Sequence, residues 1–441
     1  MRSSHNLDRV GIRFDDPRLV SDAGLLVPAT LAAHLRLKEL VEERVDLGSA
    51  AGRANPGDKF LTLVMSALAG GDSIDDTNVL RAGGTGRLLG FTLKAASTVG
   101  TFLRSFRWGH VRQLDGVSRQ LLVRAWGAGA GPGAQDQTID LDSTICETYG
   151  LKKQGARDHG YTGVRGYHPL LAVAAGTGEV LMARLREGRA NTARGAASFL
   201  TETISRVREA GASGTLTMRA DSGFYTHDVV AVCRKAKVRF SITARLQPSL
   251  RDRIEAIPEE AWTPIPYWME GGADVAETAY TPFAGEADAA PVRLIVRRVR
   301  PTPGSQLALM VNYEYHAFVT DREGALVELE ADHRRHAEIE NAIRDLKYGV
   351  GLNHLPSGNF AANAAWLVAQ VTAHNLLRWT AQIGLSEGIV TAKTLRRRLL
   401  RLSGRLTRSA RRITLHLPDR WPWAADFLAA LTRIRAIPRL A

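Results

Sequence analysis

The first third of the chain carries apolar residues at helical spacing. They recur about every 3.6 residues from Ala29 to Val45, and Lys59 to Ala69 is apolar enough for a buried helix. Thr98 to Trp108 follows a short loop and predicts a further helical segment. The glycine- and alanine-rich stretch from Gly127 to Ala134 then breaks the pattern. We therefore predict a helical N-terminal region that ends in a linker.

Alternating residues follow, which is the spacing of β-strands. Ile139 and Leu141 alternate with Asp140 and Asp142, so both carboxylates fall on one face of a half-buried strand. The next predicted elements are a hairpin (His168 to Ala174 and Glu179 to Leu185), a helix (195–210), a strand that leads to Asp221 (Leu216 to Ala220), a helix that begins at Thr226, and a strand (Val238 to Thr243). The resulting order of strand, strand, strand, helix, strand, helix, strand is that of a ribonuclease H-like α/β core with a mixed sheet.

Residues 248–329 interrupt this order. They contain prolines and strand-like runs, of which Val292 to Val299 and Leu307 to Val311 are the clearest. The segment is predicted to be a β-rich insertion ahead of the last helix of the core. Its aromatic side chains either stack on an unpaired base or pack within a small β domain. These side chains are Trp262, Tyr267 and Trp268.

A charged stripe follows one side of the helix predicted after the insertion. At about 100° per residue, its members lie within a sector of roughly 80°. They are His333, His336, Glu340, Arg344 and Lys347. Arg344 and Lys347 suit phosphate oxygens, and the two histidines are candidate hydrogen-bond donors to DNA. The alternatives are a surface i,i+4 pair of Glu340 with Arg344, and a metal-binding pair of histidines. A neighbouring apolar stripe predicts the core face of the helix (Ile339, Ala342, Ile343, Leu346).

Charge is concentrated at the C-terminal end. The chain has a formal net charge of +13, and residues 391–441 hold thirteen Lys and Arg against only two acidic residues. Such an excess favours a polyanionic partner, because each neutralised phosphate releases counterions, although an arginine-rich genome is the alternative explanation. Arg396, Arg397 and Arg398 are predicted DNA contacts in this segment.

The apolar runs also bear on the cellular location of the protein. None approaches the roughly 18 to 20 residues of a membrane span, and the N-terminus lacks the apolar region of a signal peptide. We expect a cytoplasmic, nucleoid-associated protein.

Three acidic residues indicate the chemistry. Asp142 and Asp221 close predicted strands, and Glu340 lies within the later helix. Two strand-end aspartates and a helical glutamate can gather at one end of a sheet and bind two hard divalent cations through oxygen. In a basic protein, this set predicts cutting or joining of phosphodiesters.

At these residues the chain resembles the DDE transposases of bacterial insertion sequences, and in particular the insertion-sequence 1380 family within the insertion-sequence 4 superfamily. The family's D-x-D-x-T strand matches Asp140 to Thr144, and R-x-D-S-G-F matches Arg219 to Phe224. The third motif, Y-x2-R-x3-E-x6-K, matches at Glu340 and Lys347, whereas His333 and His336 replace its Tyr and Arg. Further similar segments are Gly160 to Leu170, Leu355 to Leu367 and His374 to Trp379.

The resemblance implies a transposase that binds double-stranded DNA at terminal inverted repeats, pairs the ends as a homodimer, and joins them to target DNA. It implies Asp142, Asp221 and Glu340 as catalytic ligands of two Mg²⁺ or Mn²⁺ ions. The predicted segments are a helical DNA-binding region (1–126), a linker (127–137), a catalytic core (138–247 and 330–385), the β-rich insertion (248–329) and a basic C-terminal segment (386–441). The alternatives are a catalytically inactive DNA-binding descendant and a nuclease without strand transfer.

Overall fold

A nine-stranded mixed sheet with helices packed around it forms the centre of the molecule. The computed structural model describes residues 7–50, 52–160, 162–301 and 313–438. The helices are Leu26–His34 (α1), Leu37–Arg44 (α2), Pro56–Ala69 (α3), Thr77–Leu80 (α4), Thr85–Leu89 (α5), Ala96–Arg104 (α6), Trp108–Ala125 (α7), Ala196–Glu209 (α8), His227–Lys235 (α9), Pro248–Glu255 (α10), Leu326–Arg334 (α11), Ile339–Arg344 (α12), Phe360–Trp379 (α13), Ala392–Leu395 (α14) and Ala424–Arg435 (α15). The strands are Leu19–Val20 (β1), Gln137–Ser143 (β2), Cys146–Glu147 (β3), Arg157–Asp158 (β4), Arg165–Tyr167 (β5), Leu170–Ala174 (β6), Val180–Arg184 (β7), Leu216–Ala220 (β8), Arg239–Thr243 (β9), Thr263–Ile265 (β10), Ala273–Tyr280 (β11), Val292–Val299 (β12), Glu314–Thr320 (β13), Gly404–Ser409 (β14) and Arg412–His416 (β15).

The strand order of the large sheet is β10-β11-β12-β13-β9-β8-β2-β6-β7. Strand β2 runs parallel to β8, and β8 runs parallel to β9, whereas β6 and β7 are antiparallel to their neighbours. The predicted mixed sheet is confirmed, and each strand and helix predicted between residues 138 and 243 is present. Parallel β2, β8 and β9 bring their carboxyl ends to the same edge of the sheet.

The predicted N-terminal helices differ from the observed ones in their boundaries. The run over Ala29 to Val45 is two helices, α1 and α2, because Arg36 adopts a left-handed conformation between them (φ 52°). The predicted helix from Lys59 to Ala69 is confirmed within α3. The segment from Thr98 to Trp108 is divided, because α6 ends at Arg104 and α7 begins at Trp108.

The stretch predicted as a linker begins inside a helix. Trp126–Ala130 continues α7 as one wider turn, which contains Gly129 at φ 104°. Trp126 and Ala130 are buried, and α7 packs on both α13 and β7. The helical region and the sheet consequently share one hydrophobic core.

A buried carboxylate also joins the helical region to the sheet. Glu179 precedes β7 and is 1% exposed. Its Oε1 accepts a hydrogen bond from Trp126 Nε1 at 3.0 Å, and its Oε2 accepts one from Trp379 Nε1 on α13. Burial raises the pKa of Glu179 to about 7, although these indole N–H groups oppose the rise.

The β-rich insertion extends the central sheet. Its last strand, β13, pairs with β9, and β10 to β12 continue from β13 in antiparallel order. Trp262 packs within the insertion, because its ring lies 4.3 Å from the guanidinium of buried Arg298. Tyr267 likewise lies under Arg297, whereas Trp268 is exposed. The strand predicted from Leu307 to Val311 lies outside the described residues.

The basic C-terminal segment returns to the body of the protein. Helix α15 packs on α1, and α14 packs on α13. Strands β14 and β15 form a ribbon that pairs with β1 at the N-terminus. No helix in the described ranges is both long enough and apolar enough to cross a membrane.

Candidate active site

The register of the sheet places the two predicted catalytic aspartates side by side. Leu141 of β2 pairs with Ala220 of β8 in parallel register, so Asp142 and Asp221 follow on adjacent strands. Adjacent strands are about 4.8 Å apart. Side chains alternate along each strand, so Asp140 and Arg219 share the face of the sheet that carries Asp142 and Asp221.

The sequence Asp221-Ser-Gly-Phe fixes the position of the second aspartate. The Asp221 carboxylate accepts a hydrogen bond from the Gly223 amide at 2.9 Å, which caps the short turn Ser222–Phe224. A Cβ at Gly223 would lie 2.8 Å from Thr192 Cγ2 and 3.0 Å from Asp221 Oδ1. A glycine is therefore required for the turn to approach the carboxylate so closely.

The helical segment that carries Glu340 lies over this face of the sheet. His333 binds β9, because its ring nitrogens lie 2.8 Å from the Ser241 hydroxyl and 3.1 Å from the Thr243 hydroxyl. The ring also stacks on Phe318 of β13, with centroids 4.0 Å apart. The predicted core stripe is confirmed, because all four of its members are buried (Ile339, Ala342, Ile343, Leu346).

The charges of Asp221 and Glu340 both act on the Asp142 carboxyl. The pKa of the Asp142 carboxyl is raised to about 6, chiefly by burial and also by the nearby charges of Asp221 and Glu340. A hydrogen bond from the Ser143 amide and the proximity of His336 act in the opposite direction. Asp221 and Glu340 are exposed and Asp142 is half-buried, so the charges that act on Asp142 lie where the sheet edge opens to solvent.

A buried ion pair lies beside these carboxylates and was not predicted from the sequence. Arg219 is 1% exposed and donates to both carboxylate oxygens of Asp140, at 2.7 and 2.9 Å. It also donates to the backbone carbonyl and the carboxylate of Asp332, at the end of α11. Arg219 thus connects β2, β8 and the helix that leads to Glu340. The signal in the sequence is the shared alternation of Asp140 with Asp142 and of Arg219 with Asp221.

The structure separates the members of the predicted charged stripe. Both ring nitrogens of His333 are hydrogen-bonded to the sheet, so we no longer expect His333 to contact DNA. His336 points to Asp140, with Nδ1 3.2 Å from the carboxylate, so it too is held by a protein partner. The two rings have different partners, which argues against a shared metal. Lys347 donates to the Ile145 carbonyl at 2.8 Å, close to the end of β2, and Arg344 is exposed beside Asn341.

Two of the three predicted arginine contacts in the tail are occupied inside the protein. Arg396 is buried and donates to the backbone carbonyls of Leu68 and Gly349, at 2.9 and 2.6 Å. Arg398 forms ion pairs with Glu387 and Asp426. The prediction that Arg396 and Arg398 contact DNA is therefore corrected, since both stabilise the folded segment. Arg397 is exposed.

The three carboxylates suit hard divalent cations by their chemistry. Oxygen ligands are those that Mg²⁺ prefers, and the raised pKa of Asp142 reflects burial first and then the negative charges of Asp221 and Glu340, both of which a cation would offset. Within the described ranges, no group of three His, Cys, Asp or Glu side chains is close enough to bind a single ion.

Comparison with known proteins places the chain among the DDE transposases. The family model described as Transposase DDE domain group 1 matches residues 3–439, and the chain belongs to this family. The chain is also similar to the piggyBac transposase in a cryo-EM structure of its synaptic complex with hairpin DNA. That similarity has a TM-score of 0.46 and 12% identity, over 86% of this chain and 79% of the other. No curated protein matches the chain.

Proposed function

We propose that the protein is the transposase of an insertion sequence of the 1380 family, and that it cleaves DNA at terminal inverted repeats and transfers the freed ends to a target. The observation that carries this proposal is the register of β2 and β8, which sets Asp142 beside Asp221 at the edge where Glu340 acts on the same carboxylate. The sheet order β7-β6-β2-β8-β9 supports a ribonuclease H-like catalytic core, with the β-rich insertion added at β9.

In this proposal, the carboxylates of Asp142, Asp221 and Glu340 would hold two Mg²⁺ or Mn²⁺ ions. When bound, such ions activate a water or a 3′-hydroxyl and stabilise the leaving oxygen. Lys347, fixed on the carbonyl of Ile145, would bind a phosphate oxygen of the strand held at the site.

The proposed function also assigns roles to larger parts of the chain. The N-terminal helices and the exposed basic residues would bind the terminal repeats, and pairing of two ends requires at least a homodimer on DNA. Since the N-terminal helices share their core with the sheet, the orientation of bound DNA would be set by the same packing that positions Asp142.

The test is a cleavage assay on duplex DNA from the ends of the element, with Mg²⁺ or Mn²⁺. We expect wild-type protein to nick at the repeat boundary, and Asp142→Asn, Asp221→Asn and Glu340→Gln each to lose nicking while they retain repeat binding. Glu338→Gln is the matched control, because Glu338 is exposed near Glu340 and pairs only with Arg335 among the described residues.

Three other results would contradict the proposal in different ways. Nicking by Asp142→Asn at the wild-type rate would remove the acidic site from the chemistry. Repeat binding without nicking by any protein would indicate the inactive DNA-binding descendant, with His333 and His336 as the substitutions to revert first. Nicking without joining to a target would indicate a nuclease without strand transfer.

A further inference from the structure

One part of the C-terminal segment projects its charges away from the core. Strands β14 and β15 form a two-stranded ribbon, and residues 401–416 contain five arginines and no acidic residue. The arginines are Arg401, Arg405, Arg408, Arg411 and Arg412, and all of them are exposed. The ribbon is therefore an exposed and strongly positive pair of strands.

The two faces of the ribbon differ, because cross-strand partners lie on the same face. Leu406 opposite Leu415 lies on the face that packs on Val20 and Ala23, which anchors the base of the ribbon to the body. The opposite face is formed entirely of cationic, hydroxyl and imidazole side chains. Its members are Arg405 with His416, Thr407 with Thr414, and Ser409 with Arg412.

The tip of the ribbon holds the arginines with the greatest freedom. The chain reverses at Ala410, whose φ of 53° is left-handed, so Arg411 and Arg412 lie at the turn. Arg408, across from Ile413, donates to the carbonyl of Ala410 and to no other acceptor among the described residues. By contrast, Arg405 at the base is paired with Asp16 at 3.2 Å.

We propose that this ribbon is a binding surface for double-stranded DNA and that it enters a groove of the duplex tip first. The partner is inferred from charge and shape: the major groove admits a two-stranded β-ribbon, and guanidinium and hydroxyl groups are the usual donors to phosphate oxygens and base edges. The proposal rests on the proposed function only in taking DNA as the substrate.

Other arginines of the basic segment have a structural role. Arg396 and Arg398 are occupied by protein acceptors, and Arg433 donates to the Gly384 carbonyl at 3.0 Å. These residues hold the segment on the protein, so truncation of the whole segment would unfold part of the core. The ribbon tip is the part that can be altered without that consequence.

The experiment measures DNA affinity as a function of salt for a tip variant and a matched control. The tip variant is Arg411→Ser with Arg412→Ser. The control, Lys235→Ser with Lys237→Ser, removes two exposed positive charges at the end of the sheet opposite Asp221. Binding to a repeat-end duplex and to an unrelated duplex is measured in EDTA, so that cleavage does not interfere.

We expect the tip variant to bind both duplexes more weakly and to reduce the slope of log affinity against log salt by about two. The control should keep the wild-type slope, and Arg411→Lys with Arg412→Lys should restore it. A photocrosslinking amino acid at Ser409 should crosslink to DNA. An unchanged slope in the tip variant, or crosslinks only to a second protein chain, would overturn the proposal.

These outcomes are separable from the proposed function. If wild-type protein nicks repeat ends while the tip variant keeps the full salt slope, the ribbon proposal fails and the transposase proposal stands. If wild-type protein binds neither duplex at any salt concentration, both proposals fail.

Discussion

The buried Glu179 carboxylate offers a quantitative test of how the helical region is held on the sheet. The group is surrounded by Trp126 and Trp379, whose indole N–H groups are its donors, with Thr177 3.4 Å away. Burial raises its pKa from 4.5 to about 7. A rise of this size corresponds to about 3 kcal/mol of differential stability between the two protonation states.

The sign follows from proton linkage. Because the folded pKa lies above the unfolded one, the folded protein holds this proton more tightly than the unfolded chain does. The contribution is therefore full below pH 4.5 and is lost as the pH rises through about 7. Between pH 5 and pH 8 the expected loss is about 2 to 3 kcal/mol.

The informative substitution is Glu179→Gln, since glutamine keeps the shape and cannot ionise. Its packing penalty, which includes an amide N–H₂ facing one indole donor, is the same at both pH values. The free energy of unfolding of the variant, relative to wild type, should therefore rise by about 2 to 3 kcal/mol from pH 5 to pH 8. Urea unfolding followed by circular dichroism measures it at each pH.

Comparison with wild type removes the titration of all other groups, which is essential because buried His168 and His374 titrate with the opposite sign. Glu328→Gln, on the exposed side of α11, is the matched control and should leave the difference unchanged. A Glu179→Gln difference that is constant between pH 5 and pH 8 would refute the reasoning.

Three further predictions concern contacts of Arg219, Gly223 and Trp262. Arg219→Met should lower the free energy of unfolding by about 3 to 5 kcal/mol, and adding Asp140→Leu should recover most of the loss, as measured by urea unfolding. If Asp221 acts as proposed, Gly223→Ala should reduce nicking by about tenfold to a hundredfold with a small change in melting temperature, because the added methyl group displaces the neighbouring Asp221 carboxylate; an unchanged rate would contradict this. Trp262→Ala should cost about 1 to 2 kcal/mol through loss of the ring over a buried arginine, whereas exposed Trp268→Ala should cost less than about 0.5 kcal/mol.

The strands that lead to Asp142 and Asp221 were predictable because their residues alternate in polarity. The spacing of Asp140 and Asp142, and of Leu216 to Ala220 before Asp221, carries both the strand assignment and the face on which the carboxylates lie. A period of two residues tolerates no ambiguity about faces. The pairing of β2 with β8 is a long-range contact that alternation alone does not encode.

The helix that carries Glu340 shows where a constant helical period fails. Arg335–Glu338 is a 3-10 turn between two α-helical segments, and a 3-10 turn has three residues per turn. The change of period turns His333 onto the sheet, although a wheel of about 100° per residue puts it on the side of Glu340. The positive charge of the C-terminal segment was misleading at Arg396 for a different reason. The acceptors of this arginine are backbone carbonyls that are distant in sequence.

The compensation of charge differs between the two aspartates on one face of β2. Asp140 is neutralised by buried Arg219, whereas the charge of Asp142 is opposed by burial and by two neighbouring carboxylates. In EDTA at pH 8, Asp142→Asn should therefore raise the free energy of unfolding by about 1 to 3 kcal/mol. Asp140→Asn should lower it by a similar amount, because Arg219 loses its charged acceptor.

Divalent cation supplies the second half of this test. Added Mg²⁺ should stabilise wild-type protein by binding the folded state, and should leave Asp142→Asn unchanged. Stabilisation that is equal in both proteins would place the cation elsewhere. A loss of stability in both Asn variants would mean that Asp142 is held by partners as Asp140 is, and the distinction between the two aspartates would fail. Opposite signs in EDTA would show a cost in stability at Asp142, and stabilisation by Mg²⁺ of the wild type alone would show that a bound cation offsets this cost.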